Sequence, residues 1–237
     1  VTTVEELLDL QAHLEAQVAS YQNIDDEIQR LQQAVEHQAQ QLQKQALELR
    51  KNRQRVAPDF AQQVSKTLAD LSMPAAQLLV EFRPANDLSP TGLDEVQFLF
   101  SANKGSAPKP IKDVASGGEL SRLTLVTKSL VASAMALPTL IFDEIDAGVS
   151  GDVALKMGHI LSQLSKHHQV VVITHSPQVA ARADEHFFIY KKEVDERTTT
   201  KVRILNTEER IRAIATMLSK SPPSDSALEN AKELIGA

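Results

Sequence analysis

The sequence contains no cysteine and no tryptophan, and only two tyrosines among its 237 residues. Without cysteine there is no disulfide framework and no Cys-ligated zinc site, which suits a reducing cytosol. The scarcity of Trp and Tyr removes the side chains on which a base-stacking surface is usually built. No run of about 18 apolar residues occurs, so no segment reads as membrane-spanning. The opening "VTTVEELLDLQ" is polar and acidic, unlike a secretory signal. A basic excess is missing too: 25 Lys and Arg stand against 31 Asp and Glu, a net charge of −6, so the whole chain is not a basic nucleic-acid binder. That leaves room only for a local basic patch. One motif is also missing. A phosphate loop of form G-x-x-x-x-G-K-[ST] occurs nowhere, and Lys104-Gly105 has its lysine on the wrong side of the glycine.

What is present falls into two stretches of different character. Residues 1–57 are rich in Gln, Glu, Leu and Ala, with neither Gly nor Pro before Pro58. Counted in sevens, Leu7, Leu14, Tyr21, Ile28, Val35, Leu42, Leu49 and Val56 keep one strict repeat apolar or aromatic. A second seam, Leu10, Val18, Ile24, Leu31, Ala39 and Ala46, follows three or four residues behind the first. Together the seams read as one strand of a coiled coil, roughly 75–85 Å long at the helical rise per residue. A long surface helix packed on its own domain is the alternative. A coiled coil needs a second helix, and no second long heptad run follows. The partner helix is therefore expected from another chain or from residues before Val1, the chain opening on valine rather than methionine.

From residue 58 onward the pattern shortens and alternates. A helix is expected to restart at Pro58 and to run to about Leu71, where "SMP" breaks it. "AQLLVEF" and "DEVQFLF" read as strands joined by the turn-rich "RPANDLSPTG", and a loop carrying Lys104, Lys109 and Lys112 follows. A helix is expected over 119–136, a buried strand over 139–142, and an amphipathic helix with Asp152 as its N-cap. "QVVVITHS" reads as a second buried strand, "PQVAARAD" as a short helix, "HFFIYKKEV" and "TKVRILN" as a hairpin, and 207–219 and 225–235 as closing helices. Strands alternating with helices indicate an α/β layer with parallel strands.

Three places in this layer carry chemistry. Asp143 and Glu144 close the apolar run "TLIF", and ligands of open α/β sheets bind outside the carboxyl ends of strands. A carboxylate there suits Mg²⁺ on nucleotide phosphates. Neighbours on a strand point to opposite faces, so one can hold the metal through water while the other polarises an attacking water. His175 closes the second strand, where it can hydrogen-bond a phosphate oxygen or serve structure alone. The other six histidines show no comparable placement and no metal-ligand spacing, so a zinc site is not expected. Finally, Ser116, Gly117 and Gly118 directly precede a helix, whose N–H groups and dipole favour an anion. Ser116 either caps that helix or offers its hydroxyl to the phosphate.

The order of these segments is specific. "ASGGELSR", "TLIFDE", "IDAGVSG" and "VVVITHS" resemble the signature motif, Walker B strand, D-loop and switch-histidine strand of ABC-type ATPases, in the family's order and spacing. Long coiled coils separate the two lobes of the head in the SMC and Rad50-like branch. Within it, "VASGGELSRL", "LIFDEIDAGVSG", "ITHSPQVAARAD" and "LADLSMPAAQLLVEF" are similar to bacterial RecN-type DNA repair ATPases over most of residues 45–237. The fold class implied is the α/β C-terminal lobe of an ABC-type ATPase, P-loop NTPase-like with a mostly parallel sheet and flanking helices, over 58–237. A coiled-coil arm strand over 1–57 precedes it. The lack of cysteine argues against a Rad50-type zinc hook in this portion.

The resemblance implies two heads sandwiching two ATP molecules with Mg²⁺. Ser116, Gly117, Gly118 and Glu119 of one head would meet the γ-phosphate of ATP held by the other head's P-loop. Asp143 would position the metal, Glu144 would polarise the attacking water, Asp146 would couple the two sites across the dimer, and His175 would contact the γ-phosphate. The expected partners are a P-loop lobe and an antiparallel coiled-coil strand lying before Val1, a second head, and DNA. The expected location is the cytoplasm, at the nucleoid, and the chain alone is expected to be inactive. Other readings are a different SMC or Rad50-like half-head, a non-enzymatic coiled-coil scaffold, and a transporter nucleotide-binding subunit. The last fits poorly, because transporter domains carry no 50-residue heptad arm before the signature lobe. The cluster "RKNRQR" at 50–55 and the three loop lysines are candidate DNA contacts or plain solvated surface.

Overall fold

The first helix, α1, runs unbroken from Val4 to Asp70, straight through Pro58. This computed structural model describes residues 3–114, 116–135, 137–149, 151–194 and 197–236. The restart expected at Pro58 is therefore corrected to one continuous helix. Proline removes a single N–H from the ladder, and both Pro58 and Gln54, one turn before it, are exposed. Past Pro58 the helix is anchored by Val64 and Leu68, both fully buried. It ends at Asp70, and Ser72 in the turn that follows takes the left-handed region at φ 63°.

Two compact units make up the chain: Val1–Val56 with Phe82–Val96, and Ala57–Glu81 with Gln97–Ala237. In the first unit the heptad row of α1 stays exposed. Leu7, Leu14, Tyr21, Ile28, Val35, Leu42, Leu49 and Val56 keep 39–66% of their surface. The rest of this unit is the outer part of a hairpin. Strand β1 (Gln77–Ser89) and strand β2 (Gly92–Ser101) are longer than the two expected strands and meet at a tight turn. Most of "RPANDLSPTG" is thus strand rather than loop. Pro84 is tolerated because β1 is the edge of a sheet ordered β1-β2-β3, and edge strands are where sheets accept proline. Gly92, at φ 106°, completes the turn, and a Cβ there would lie 3.4 Å from Leu49.

The second unit holds the core. After β3 (Lys109–Pro110) and a single 3₁₀ turn, α2 spans Gly117–Ala134 and β4 spans Thr139–Asp143. The expected helix end at Ala136 lies outside the described residues. Helix α3 (Gly151–Leu164) begins one residue before Asp152, which pairs with Lys156 at 2.8 Å instead of capping. Then come β5 (Gln169–Ile173), the short α4 (Pro177–Ala180), a hairpin of β6 (Phe187–Val194) with β7 (Arg197–Ile204), α5 (Thr207–Leu218) and α6 (Asp225–Ile235). Strands β4 and β5 run parallel in direct register, from Thr139 opposite Gln169 to Asp143 opposite Ile173.

Packing follows the alternation along β4. Leu140 and Phe142 face inward against Leu123, Leu125 and Val126 of α2 and Met157 and Leu161 of α3, in one cluster that includes Val64, Leu68 and Leu71 of α1. Burying a side chain of this size stabilises by about 1.5–3 kcal/mol. A smaller cluster joins Ala180 and Ala181 to Ile214, Ala215, Ala227 and Ala231. The outward set is left uncovered: Ile141 is 61% exposed, Val171 43% and Ile173 47%.

Candidate nucleotide site at the strand ends

The direct register of β4 and β5 delivers their carboxyl ends to one level. Asp143 is the last residue of β4 and is exposed. Glu144 does not continue the strand. It turns into the left-handed region at φ 45°, and its N–H donates to the Ile173 carbonyl at 2.9 Å. A non-glycine residue held there costs on the order of 1–3 kcal/mol, a strain that recurs at functional sites. The two carboxylates are therefore separated by this turn rather than by strand alternation, and both face solvent.

Directly beside them, Thr174, His175 and Ser176 leave β5. His175 is exposed, its side chain keeping 65% of its surface. Asp146 differs from the other candidates in having no exposed surface at all. Its Oδ2 accepts from the Thr174 hydroxyl and, at 3.0 Å, from the Ser176 N–H. The Thr174 hydroxyl also accepts from the Ser176 N–H at 2.9 Å. Asp146 Oδ1 has no hydrogen-bond partner and lies 4.0 Å from His175 Nδ1. The roles of Thr174 and Ser176 escaped the sequence, although the threonine directly before a strand-end histidine was the available signal.

The start of α2 belongs to the same edge. The backbone at Gly118 approaches Ala147 and Gly148 so closely that a Cβ there would lie 3.3 Å from the Gly148 carbonyl. Gly148 itself adopts φ 71°. Small residues at both positions let the two backbones meet. Gly117 faces open space, and Ser116 is exposed with its side chain making no cap bond. By contrast, Asn206 and Ser224 do cap α5 and α6 through their side chains. The first N–H groups of α2 and the Ser116 hydroxyl thus remain available to an anion. Glu119 stands half-buried in the first turn of α2.

Other candidates separate from this edge. Arg50 of the basic cluster gives Nε to both Asp94 carboxylate oxygens at 2.9 Å and Nη2 to the Leu93 carbonyl, and Arg53 reaches the Thr91 carbonyl at 2.7 Å. These two arginines clamp the hairpin end inside their own unit. Lys104, Lys109 and Lys112 sit on the exposed segment around β3. Among the described residues no helix is long and apolar enough to cross a membrane.

No protein-family model matches the chain. Over 98% of its length it is 37% identical to the DNA repair protein RecN of Haemophilus influenzae and 35% identical to that of Halalkalibacterium halodurans. It spans 42% of each of those proteins. The RecN of Rickettsia prowazekii is 41% identical over 76% of this chain and 32% of its own length. The chain thus spans less than half the length of the curated relatives it matches. Among solved structures, an Smc head domain with a coiled coil and joint from Pyrococcus yayanosii shares the fold. The TM-score is 0.53 at 20% identity, covering 90% of this chain and 36% of that one.

Proposed function

The chain belongs to the RecN family of DNA repair proteins, and from that premise we propose that it is the signature-bearing half of an ATP-hydrolysing head that acts in DNA double-strand-break repair. The observation that carries this is a single edge presenting Asp143, Glu144 and His175 beside an uncapped α2 N-terminus, in a chain with no phosphate loop of its own. Such an edge can meet a nucleotide but has nothing to grip its β-phosphate. A lobe carrying the P-loop supplies that grip. Its seat is the outward face of β4 and β5, where Ile141, Val171 and Ile173 stand exposed against the rule that parallel sheets are covered on both faces.

In this reading Ser116, Gly117, Gly118 and Glu119 meet the γ-phosphate of ATP held on a second head, the N–H groups of α2 donating to its oxygens. Asp143 would hold Mg²⁺. The described residues offer no cage of three or more His, Cys, Asp or Glu. A single strand-end carboxylate suits a cation that keeps most of its water and completes its shell with phosphate oxygens. The bound Mg²⁺–ATP supplies the electrophilic phosphoryl group and neutralises its charge. Glu144 orients and deprotonates the attacking water, and His175 contacts the γ-phosphate. The exposed heptad row of α1 pairs with an antiparallel helix, so that head engagement and release move an arm that holds DNA. Cytoplasmic action at the nucleoid follows from that substrate.

The test is Glu144→Gln in this chain joined to its P-loop lobe. Turnover falls by about 100-fold or more, while ATP-driven pairing of heads persists. Unchanged turnover would show that Glu144 is not the base. The chain without that lobe shows no turnover.

A further inference from the structure

We infer that Asp146 acts inside its own lobe, as a positioning residue that fixes the tautomer and direction of the His175 ring, rather than as a bridge between two heads. A residue that reaches across a dimer needs surface, and Asp146 has none. A buried carboxylate is tolerated only when its oxygens are satisfied. Oδ2 is satisfied twice, by the Thr174 hydroxyl and the Ser176 N–H. These two bonds hold the residues on either side of His175, whose imidazole stays exposed. Oδ1 has no partner, and His175 Nδ1 lies 4.0 Å away. That gap exceeds a hydrogen bond by about 1 Å, and a small rotation of the exposed ring closes it. The Nδ1–H then donates to Asp146, and Nε2 is the nitrogen turned outward, the same division of labour by which a carboxylate orients a catalytic histidine elsewhere.

The consequence for function rests on the reading that His175 meets a nucleotide phosphate. Asp146 then selects Nε2 as the contacting atom and holds it at the strand edge before any nucleotide arrives. The device needs nothing from a second head, so it is present in the isolated chain.

Nitrogen-15 NMR of the imidazole rings in the 237-residue chain at pH 8 tests it, with the His175 signals identified by their loss in His175→Asn. The neutral ring is expected in the Nδ1–H form, and Asp146→Asn is expected to move the Nδ1 resonance to the unprotonated position while backbone amide signals outside 144–148 and 173–177 stay in place. Thr174→Val removes a bond to Oδ2 without touching Oδ1 and is expected to keep the Nδ1–H form. An Nε2–H ring in the unmutated chain overturns the inference even if Asp146→Asn fails to fold, and so does a ring that ignores a folded Asp146→Asn. The phosphate role is checked separately. Normal ATP turnover by a His175→Ala head would remove that role and leave the tautomer result standing.

Discussion

His186 sits half-buried behind β6, its Nδ1 without a partner, and the loss of water together with the nearby Arg210 guanidinium holds its imidazole below the usual histidine range. Arg210 is itself held in place by the Ala181 and Ala183 carbonyls. The sign of the pH effect follows. Below the ordinary histidine value the unfolded chain takes up a proton that the folded chain resists, so stability is full above that value and falls as pH drops through it. Between pH 7.5 and 5.5 the melting temperature should decline, and His186→Asn should make that decline smaller. Thermal melts of the two chains at both pH values check this, and an identical decline would contradict it. Glu209 acts lower on the scale. The Asn206 N–H and then the Arg203 guanidinium hold its carboxyl below the usual range, so the capping box of α5 loosens only as pH falls through the carboxylate region. At this scale the sequence was legible where chemistry is local. The position of Asp143 at the end of β4 could be read from an apolar run and its polar end, whereas His175 lies two residues beyond β5 rather than closing it. The left-handed turn at Glu144 and the burial of Asp146 could not be read, because both depend on what β5 presents opposite them.

Among the elements, the hairpin of β1 and β2 departs most from what its residues suggest. Pro84, Asn86 and Asp87 are poor strand formers, and local propensity alone makes them loop. Arg50 and Arg53 override it by reaching from α1 to Asp94, Leu93 and Thr91. Asp94 is nearly inaccessible, and Arg50 is the cation that reaches both of its carboxylate oxygens. Arg50→Ala should therefore release this end of the hairpin. Amide hydrogen exchange within residues 82–96 is expected to quicken by about 10-fold or more, with α5 and α6 unchanged. Exchange that stays uniform would mean the clamp contributes nothing. The same contacts explain why "RKNRQR" could not be judged from sequence: a basic run on a helix looks identical whether its partners are solvent, nucleic acid or a strand more than 35 residues away. The α-helices were legible in kind, α5 and α6 nearly in their bounds, because their periodicity and caps are local signals. Pro58 misled because the cost of one lost hydrogen bond is smaller than the burial that continues the helix beyond it.

For the molecule as a whole, its exposed apolar surface is more informative than its core. Ile141, Val171 and Ile173 on the parallel sheet, and Phe187, Ile189, Val202 and Ile204 on one face of the β6–β7 hairpin, each keep 43–61% of their surface. The heptad row of α1 adds a third open face. All three have the composition of interior surface. The order of motifs made the fold class and family legible at once, since four short segments in sequence constrain more than any one of them. Which faces remain open was not legible, because burial is a property of the folded layer. The central claim is that the signature residues of one head serve the nucleotide of another. Mixing two inactive heads tests it most directly, each head being this chain joined to its P-loop lobe, one with Ser116→Arg and the other with Glu144→Gln. If sites are shared, each mixed dimer contains one site with both groups intact, and ATP turnover should return to about a quarter of the unmutated level in an equal mixture. If each head pairs its own Ser116 with its own Glu144, the mixture will stay as inactive as either variant alone, and the shared-site account will be wrong.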